Sequence, residues 1–187
     1  MALNRYYYPT KYDSRNKVLS LGIKCVFISH QQKDKDAAKK VADYLIKTGI
    51  DVYFDAYDGD LRIHHQSNNA KAVTDSIRKG INNSSHMLVL VSPNTLYSTW
   101  VPFEIGYGYD KTELFVLCLK GIPKGGLPEY ARSTTIVRDI YDLNNLISRI
   151  SNINKEILLE TKTMSDYGNY ANPLSGVMDT LINDPYN

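Results

Sequence analysis

Trp100 and Glu104 stand four residues apart in Ser98-Thr99-Trp100-Val101-Pro102-Phe103-Glu104, just after a strand-like run that ends Leu88-Val89-Leu90-Val91-Ser92. On a helix, residues at that spacing share a face. An indole and a carboxylate so placed at the carboxyl edge of a parallel sheet can hold a ribose against an aromatic wall, with a negative charge beneath its anomeric carbon. That geometry suits the breaking of an N-glycosidic bond. The competing reading makes Trp100 a cap on the core and Glu104 solvated surface, since aromatics at helical spacing are usually core.

Other chemistry-bearing residues are more weakly patterned. Asp55, at the end of a strand-like run, either contacts a ligand or caps the following turn. Asp34 reads as a helix N-cap rather than a catalyst. His64 and His65 are adjacent, point apart on any regular element and have no third ligand spaced for them, so no metal site is expected. Gly121-Ile122-Pro123-Lys124-Gly125-Gly126 lacks both the Walker spacing and the Gly-x-Gly-x-x-Gly of a dinucleotide fold. A receiver domain would want clustered aspartates after the first strand and one after the third, where this chain has Ser29-His30 and Ser92-Pro93.

The elements that must position these residues follow from hydrophobic patterning. Lys24-Cys25-Val26-Phe27-Ile28-Ser29 reads as a buried strand. A helix capped by Asp34 follows, with Ala38, Val41, Ala42 and Leu45 on one stripe and Thr48-Gly49 at its end. Ile50-Asp51-Val52-Tyr53-Phe54-Asp55 is a second strand, completing a crossover of right-handed βαβ length. After a polar loop over 56–69, Val73, Ile77 and Ile81 recur on a helix, and a strand runs from Met87 to Val91. Leu114 to Leu119 is an unbroken apolar run, as expected for a central parallel strand covered on both faces. Thr134 to Val137 is a weaker strand at an edge, and the last helix, from Leu143, aligns Leu146, Ile147, Ile150, Ile153 and Ile157. Five strands alternating with helices predict a doubly wound parallel α/β sheet, whose ligands bind at the carboxyl ends of the strands. Residues 1–22 and 162–187 lack sustained periodicity and read as terminal extensions, with 177–182 able to form a turn or two of helix.

Composition narrows the class further. The 187 residues match one domain; 43% are apolar and 22% charged, as in an ordinary globular protein, and a net charge of +2 gives no reason to expect nucleic acid as a partner. Cys25 and Cys118 lie in apolar runs without metal-ligand spacing, which predicts buried free thiols in a reducing, cytoplasmic compartment. No run approaches membrane-spanning length, and Asn4-Arg5-Tyr6-Tyr7-Tyr8-Pro9 stands where a secretory signal would need an apolar core.

Taken together, Val26-Phe27-Ile28-Ser29-His30 with Lys33-Asp34, then Val52-Tyr53-Phe54-Asp55, then Ile77 through Ser92, then Ser98-Thr99-Trp100 with Glu104, resemble a TIR (Toll/interleukin-1 receptor) domain over roughly residues 23–161. The resemblance implies a flavodoxin-like five-stranded parallel sheet. It also implies cleavage of NAD, as substrate rather than cofactor, at the nicotinamide–ribose bond by the glutamate of a Ser-x-Trp-x-x-x-Glu pattern, which is Glu104. By the same resemblance Trp100 is its aromatic neighbour, Ser29 and His30 contact the nucleotide at the mouth of the first strand, and the loop over 56–69 covers or shares the site. Enzymes of the family often carry cysteine after the tryptophan, where this chain has Val101 followed by Pro102. Proline is tolerated in a first helical turn, with Thr99 as N-cap. Gly106 and Gly108 weaken such a helix by about 1 kcal/mol each, which makes sense only where something packs close to the backbone.

Nicotinamide leaves NAD as a neutral base, so one carboxylate can suffice where an ordinary glycoside needs two. The resemblance extends to stand-alone bacterial enzymes of Thoeris-type antiviral defence. It implies an NAD glycohydrolase or ADP-ribosyl cyclase whose ADP-ribose-derived product, cyclic or conjugated, signals to a separate effector protein, with self-association through TIR contacts. The alternative is a non-enzymatic TIR adaptor acting by assembly alone.

Overall fold

Five short apolar runs become one parallel sheet in a computed structural model that describes residues 1–8, 15–55, 70–98, 100–123 and 125–182. The strands are β1 (Cys25–Ser29), β2 (Asp51–Tyr53), β3 (His86–Val91), β4 (Glu113–Cys118) and β5 (Thr135–Val137). Their order is β2-β1-β3-β4-β5, every pair parallel. This is the doubly wound, flavodoxin-like arrangement. After β2 the chain crosses back over β1 to reach β3, so the order in which strands are laid down reverses between β1 and β3, the crevice where ligands of open α/β sheets bind.

The helices are α1 (Arg15–Ser20), α2 (Lys35–Lys47), α3 (Ala70–Asn82), α4 (Trp100–Gly108), α5 (Glu129–Arg132), α6 (Ile140–Ser151) and α7 (Lys155–Glu160). Successive strand residues point to opposite faces, and the core divides accordingly. Leu88 and Leu90 join Val41 and Leu45 of α2 and Leu143 and Ile147 of α6. Met87, Val89 and Val91 join Val73, Ile77 and Ile81 of α3 and Val101 and Ile105 of α4. Both faces of β4 are covered, as its apolar run requires. Gly49 closes α2 at φ +89, a left-handed conformation open to glycine.

Several elements differ from expectation, each for a local reason. α6 starts three residues earlier than Leu143, because Asp139 caps it by accepting the Asp142 N–H at 2.8 Å. It breaks at Asn152, which adopts the left-handed φ of 56°, so Ile153 and Ile157 leave the buried stripe and are exposed. Residues 177–182 form no helix: Asp179 bridges Asp139, and its carbonyl accepts the Ile140 N–H at 2.9 Å. Gly108 has the close neighbour its composition implied, since a Cβ there would meet Met87 Sδ at 2.5 Å, but Gly106 faces open space. The loop over 56–69, with His64 and His65, and the expected cap Thr99 lie outside the described residues.

Polar ties fasten the periphery to this frame. Asp34 sits at the N-terminus of α2 but makes no side-chain cap there. Its carboxylate instead accepts from Ser92 Oγ and from Asn94 Nδ2 at 2.8 Å, joining the turn after β1 to the turn after β3. The N-terminal residues run along β2: Arg5 N donates to the Val52 carbonyl (2.7 Å), Val52 N to that of Leu3 (3.1 Å), and Arg5 pairs with Asp51. Asn4 exchanges two hydrogen bonds with the Phe54 backbone. On the other face, the buried Tyr44 hydroxyl lies 2.8 Å from Asn144 Oδ1 and accepts the Ser165 N–H at 3.0 Å, pinning the segment after α7 across α2 and α6. Met164, Leu174 and Met178 of that segment complete the core.

Tyr44→Phe keeps the ring and strands these partners, and a buried polar group left unpaired costs about 1–3 kcal/mol. Urea unfolding is expected to show a loss of that size with unchanged far-UV circular dichroism. A wild-type midpoint would mean that the hydroxyl carries no part of the tie.

Candidate active site

The crevice between β1 and β3 receives side chains that are far apart in the sequence. Ser29 is the last residue of β1, paired in register with Val89 of β3. From β3 the chain turns through one 3-10 turn, Thr95–Tyr97, into α4. Ser98 Oγ accepts the Val101 N–H at 3.2 Å and so caps the first turn of α4. Pro102 lies within that turn, where a missing N–H breaks no helical bond. One turn after Trp100, Glu104 reaches back across the end of the sheet, and its Oε2 accepts a hydrogen bond from the Ser29 hydroxyl.

Glu104 is 7% exposed, which overturns the reading of it as solvated surface. Burial pushes its carboxyl up to about 7, because a low-dielectric environment disfavours the charge; the Ser29 hydroxyl, which favours the ionised form, opposes that shift. The result is a carboxyl that changes charge near neutral pH, as perturbed acids at functional sites commonly do.

Glu104 opens onto a cleft of about 60 Å³ that His30 and Asp55 also line. The His30 ring packs on Phe54 with centroids 5.1 Å apart, and its Nδ1 lies 3.4 Å from the Ile28 carbonyl. The fold thus brings Ser29, His30, Asp55 and Glu104 together from the ends of β1 and β2 and from α4. Trp100 is placed differently. It is half-buried, edge-on to Phe103 at 6.1 Å, packs against the apolar cluster of α3 and α4, and is not among the residues lining the cleft.

The aromatic wall of the cleft comes from residues that the sequence pattern did not single out. Tyr6, Phe27 and Tyr53 line it. Tyr6 stands edge-on to Tyr53 at 5.8 Å, held there by the pairing of Asn4 and Arg5 with β2.

This arrangement can hold a sugar against aromatic surface beside a dry carboxyl, and the ionised carboxyl can stabilise a positive charge developing at carbon. Among the described residues no group of three histidines, cysteines or carboxylates could hold a metal ion, and no helix is long and apolar enough to cross a membrane. Cys25 is buried and Cys118 half-buried, both unbridged; burial pushes their thiols up to about 12 and about 11, so neither is a ready nucleophile.

Comparison with known proteins gives consistent matches. A family model for the TIR domain matches residues 26–145. A putative cyclic ADP-D-ribose synthase TIR2 from Cytobacillus dafuensis is 34% identical over 97 residues, covering 51% of this chain and 25% of that protein. The NAD(+) hydrolase TirS of Staphylococcus aureus is 32% identical over 80 residues, 42% of this chain and 26% of the relative. The chain therefore spans about a quarter of the length of the curated relatives it matches.

The raised value for Glu104 predicts a pH-dependent stability. Because the folded value lies above the ordinary 4.5, the protonated form is favoured in the fold. Its contribution is complete below about pH 4.5 and is lost as pH rises through about 7, by about 3 kcal/mol in all. Glu104→Gln does not titrate. Unfolding free energies at pH 4.5 and pH 8 are expected to show the variant gaining about that much on wild type between the two. Parallel pH profiles would mean that the carboxyl is not held in a desolvated site.

Proposed function

The chain belongs to the TIR domain family, and from that premise we propose that it consumes NAD by cleaving the nicotinamide–ribose bond. The observation that carries this reading is the buried Glu104 carboxyl, hydrogen-bonded by Ser29 at the point where strand order reverses. The activities for which the two relatives are named, cyclic ADP-D-ribose synthesis and NAD(+) hydrolysis, support it. An adaptor that works by assembly alone has no chemical need for a carboxyl desolvated at such cost.

In the proposed reaction the bond between ribose C1′ and the nicotinamide nitrogen breaks, and both bonding electrons go to the ring, which leaves neutral. Ionised Glu104 stabilises the oxocarbenium character left on the ribose. An acceptor oxygen or nitrogen then bonds to C1′, and any proton it carries is released. Water gives ADP-ribose, an atom of the same molecule gives a cyclic isomer, and an outside nucleophile gives a conjugate. The cleft of about 60 Å³ is far below the ~300 Å³ at which drug-sized sites begin, so the reacting end enters it and the rest of the dinucleotide lies across the rim. His30 and Asp55, which line the cleft, serve as nucleotide contacts in this reading. Tyr6 and Tyr53 offer π-faces to the cationic nicotinamide ring, an attraction of about 0.5–2 kcal/mol, and Trp100 supports α4 from behind. Self-association through TIR contacts and signalling to a separate effector in Thoeris-type antiviral defence form the biological setting of this reading.

Two outcomes test it. Glu104→Gln is expected to lower nicotinamide release from NAD by about 100- to 1,000-fold, followed by chromatography, with mass spectrometry of the wild-type reaction identifying the product. Wild-type protein that releases no nicotinamide, at any concentration up to that at which it self-associates, leaves assembly as the function. Ser29→Ala removes the hydrogen bond that favours the ionised carboxyl, so the pH at which the rate is half-maximal is expected to move upward. A pH–rate profile identical to wild type would detach Ser29 from Glu104.

A further inference from the structure

A second cavity, of about 340 Å³, opens beyond the carboxyl ends of β4 and β5 and, among the described residues, shares no lining residue with the cleft at Glu104. Its volume lies within the range of small-molecule sites, about 300–1,000 Å³. Leu119, Ile122, Leu127 and Ile136 give it apolar walls. Among the described residues its charged lining is Arg132, Arg138 and Asp179, a surplus of one positive charge.

The two guanidinium groups are differently occupied. Arg132, on α5, donates Nε to the Leu127 carbonyl (3.1 Å) and Nη2 to that of Gly125 (2.7 Å), so its planar fork is fixed in advance while other N–H donors remain to it. Arg138 follows β5 directly. Its backbone N–H is taken by Asp142 at 3.0 Å, but its Nε is buried without a hydrogen-bond partner among the described residues. Folded proteins seldom leave a shielded donor unsatisfied, because its desolvation goes uncompensated. The wall that carries Asp179 is anchored, with the Asp179 carbonyl on Ile140 N–H and Ile182 N–H on Asp139 Oδ2 at 2.7 Å, so the cavity is a built feature rather than a gap between loops.

We propose that this cavity is a second ligand site, specific for a small amphipathic anion. One oxyanion group, carboxylate or phosphate, sits against Arg138 and Arg132 and gives the Arg138 Nε its acceptor, and a flat or branched apolar body lies along Leu119, Ile122, Leu127 and Ile136. Charge-assisted bonds to a guanidinium fork are strong enough to make the anion the determinant of specificity.

The test uses three probes with one apolar body, 2-naphthoate, 2-naphthyl phosphate and uncharged 2-naphthalenemethanol, titrated calorimetrically into the full chain. At least one anion is expected to bind at least tenfold more tightly than the alcohol. A preference for naphthoate assigns a carboxylate ligand and one for the phosphate assigns a phosphorylated ligand. Arg138→Gln is expected to erase the preference and Ile136→Trp to block binding by filling the cavity, whereas Glu104→Gln binds as wild type because the other cleft is not involved. If Arg138→Gln does not fold, judged by circular dichroism, Arg132→Gln reads the same pair. Equal affinity for anion and alcohol, wild-type binding by the folded arginine variant, loss of binding in Glu104→Gln, or no binding of either anion at millimolar concentration would each overturn the proposal.

Discussion

A single hydroxyl holding a carboxyl out of water is the interaction on which the rest of this site depends. Among the described residues, Ser29 is the only hydrogen-bond partner of the Glu104 side chain, and burying an acid with so little compensation is unfavourable. The surrounding frame makes the arrangement stable. β1 is buried at all five positions, so the Ser29 backbone has no freedom to follow its side chain. α4 is fixed by Val101 and Ile105 in the apolar cluster beneath it. The carboxyl and the hydroxyl meet because two rigid elements converge, and neither can relax to let water in without disturbing the core.

The same economy recurs around the crevice. Asp34 forgoes a helix cap to link the turns after β1 and β3, and Asn4 and Arg5 fasten a remote segment to β2 so that Tyr6 stands beside Glu104. These ties are polar, specific and shielded; the first joins two turns, and the others join the N-terminal segment to β2 and the residue that follows it. The sheet supplies the geometry, and the ties keep its carboxyl edge from fraying where substrate would enter.

Much of the fold was legible because burial writes itself into composition. Strands covered on both faces need unbroken apolar runs, and Val26 to Ile28, Met87 to Val91 and Leu114 to Leu117 are such runs. The Trp100–Glu104 spacing likewise placed both residues on one helix. Pattern failed where a backbone conformation or a distant partner decided the outcome. Ile153 and Ile157 continue the period of α6, yet Asn152 takes a left-handed conformation and ends it, which no hydrophobic count can register. Asp34 is a good cap by residue type, but Ser92 and Asn94, some sixty positions on, compete for it. Tyr6 enters the cleft through pairing with β2, and nothing local to residues 1–8 encodes that. Trp100 and Glu104 share a helix, but residue spacing does not say which side chain turns toward the crevice and which toward α3.

The pairing of Leu3 and Arg5 with Val52 has one more effect. An exposed edge strand presents unpaired N–H and C=O groups that can template another chain, and natural sheets block that route. Here the β2 edge is already occupied by the protein's own N-terminal residues, and the opposite edge, β5, is only three residues long. The sheet therefore offers little for intermolecular strand addition at either side. Copies that gather at high local concentration are protected from zipping into an open-ended fibre, and their contacts are confined to helices and loops, which can release.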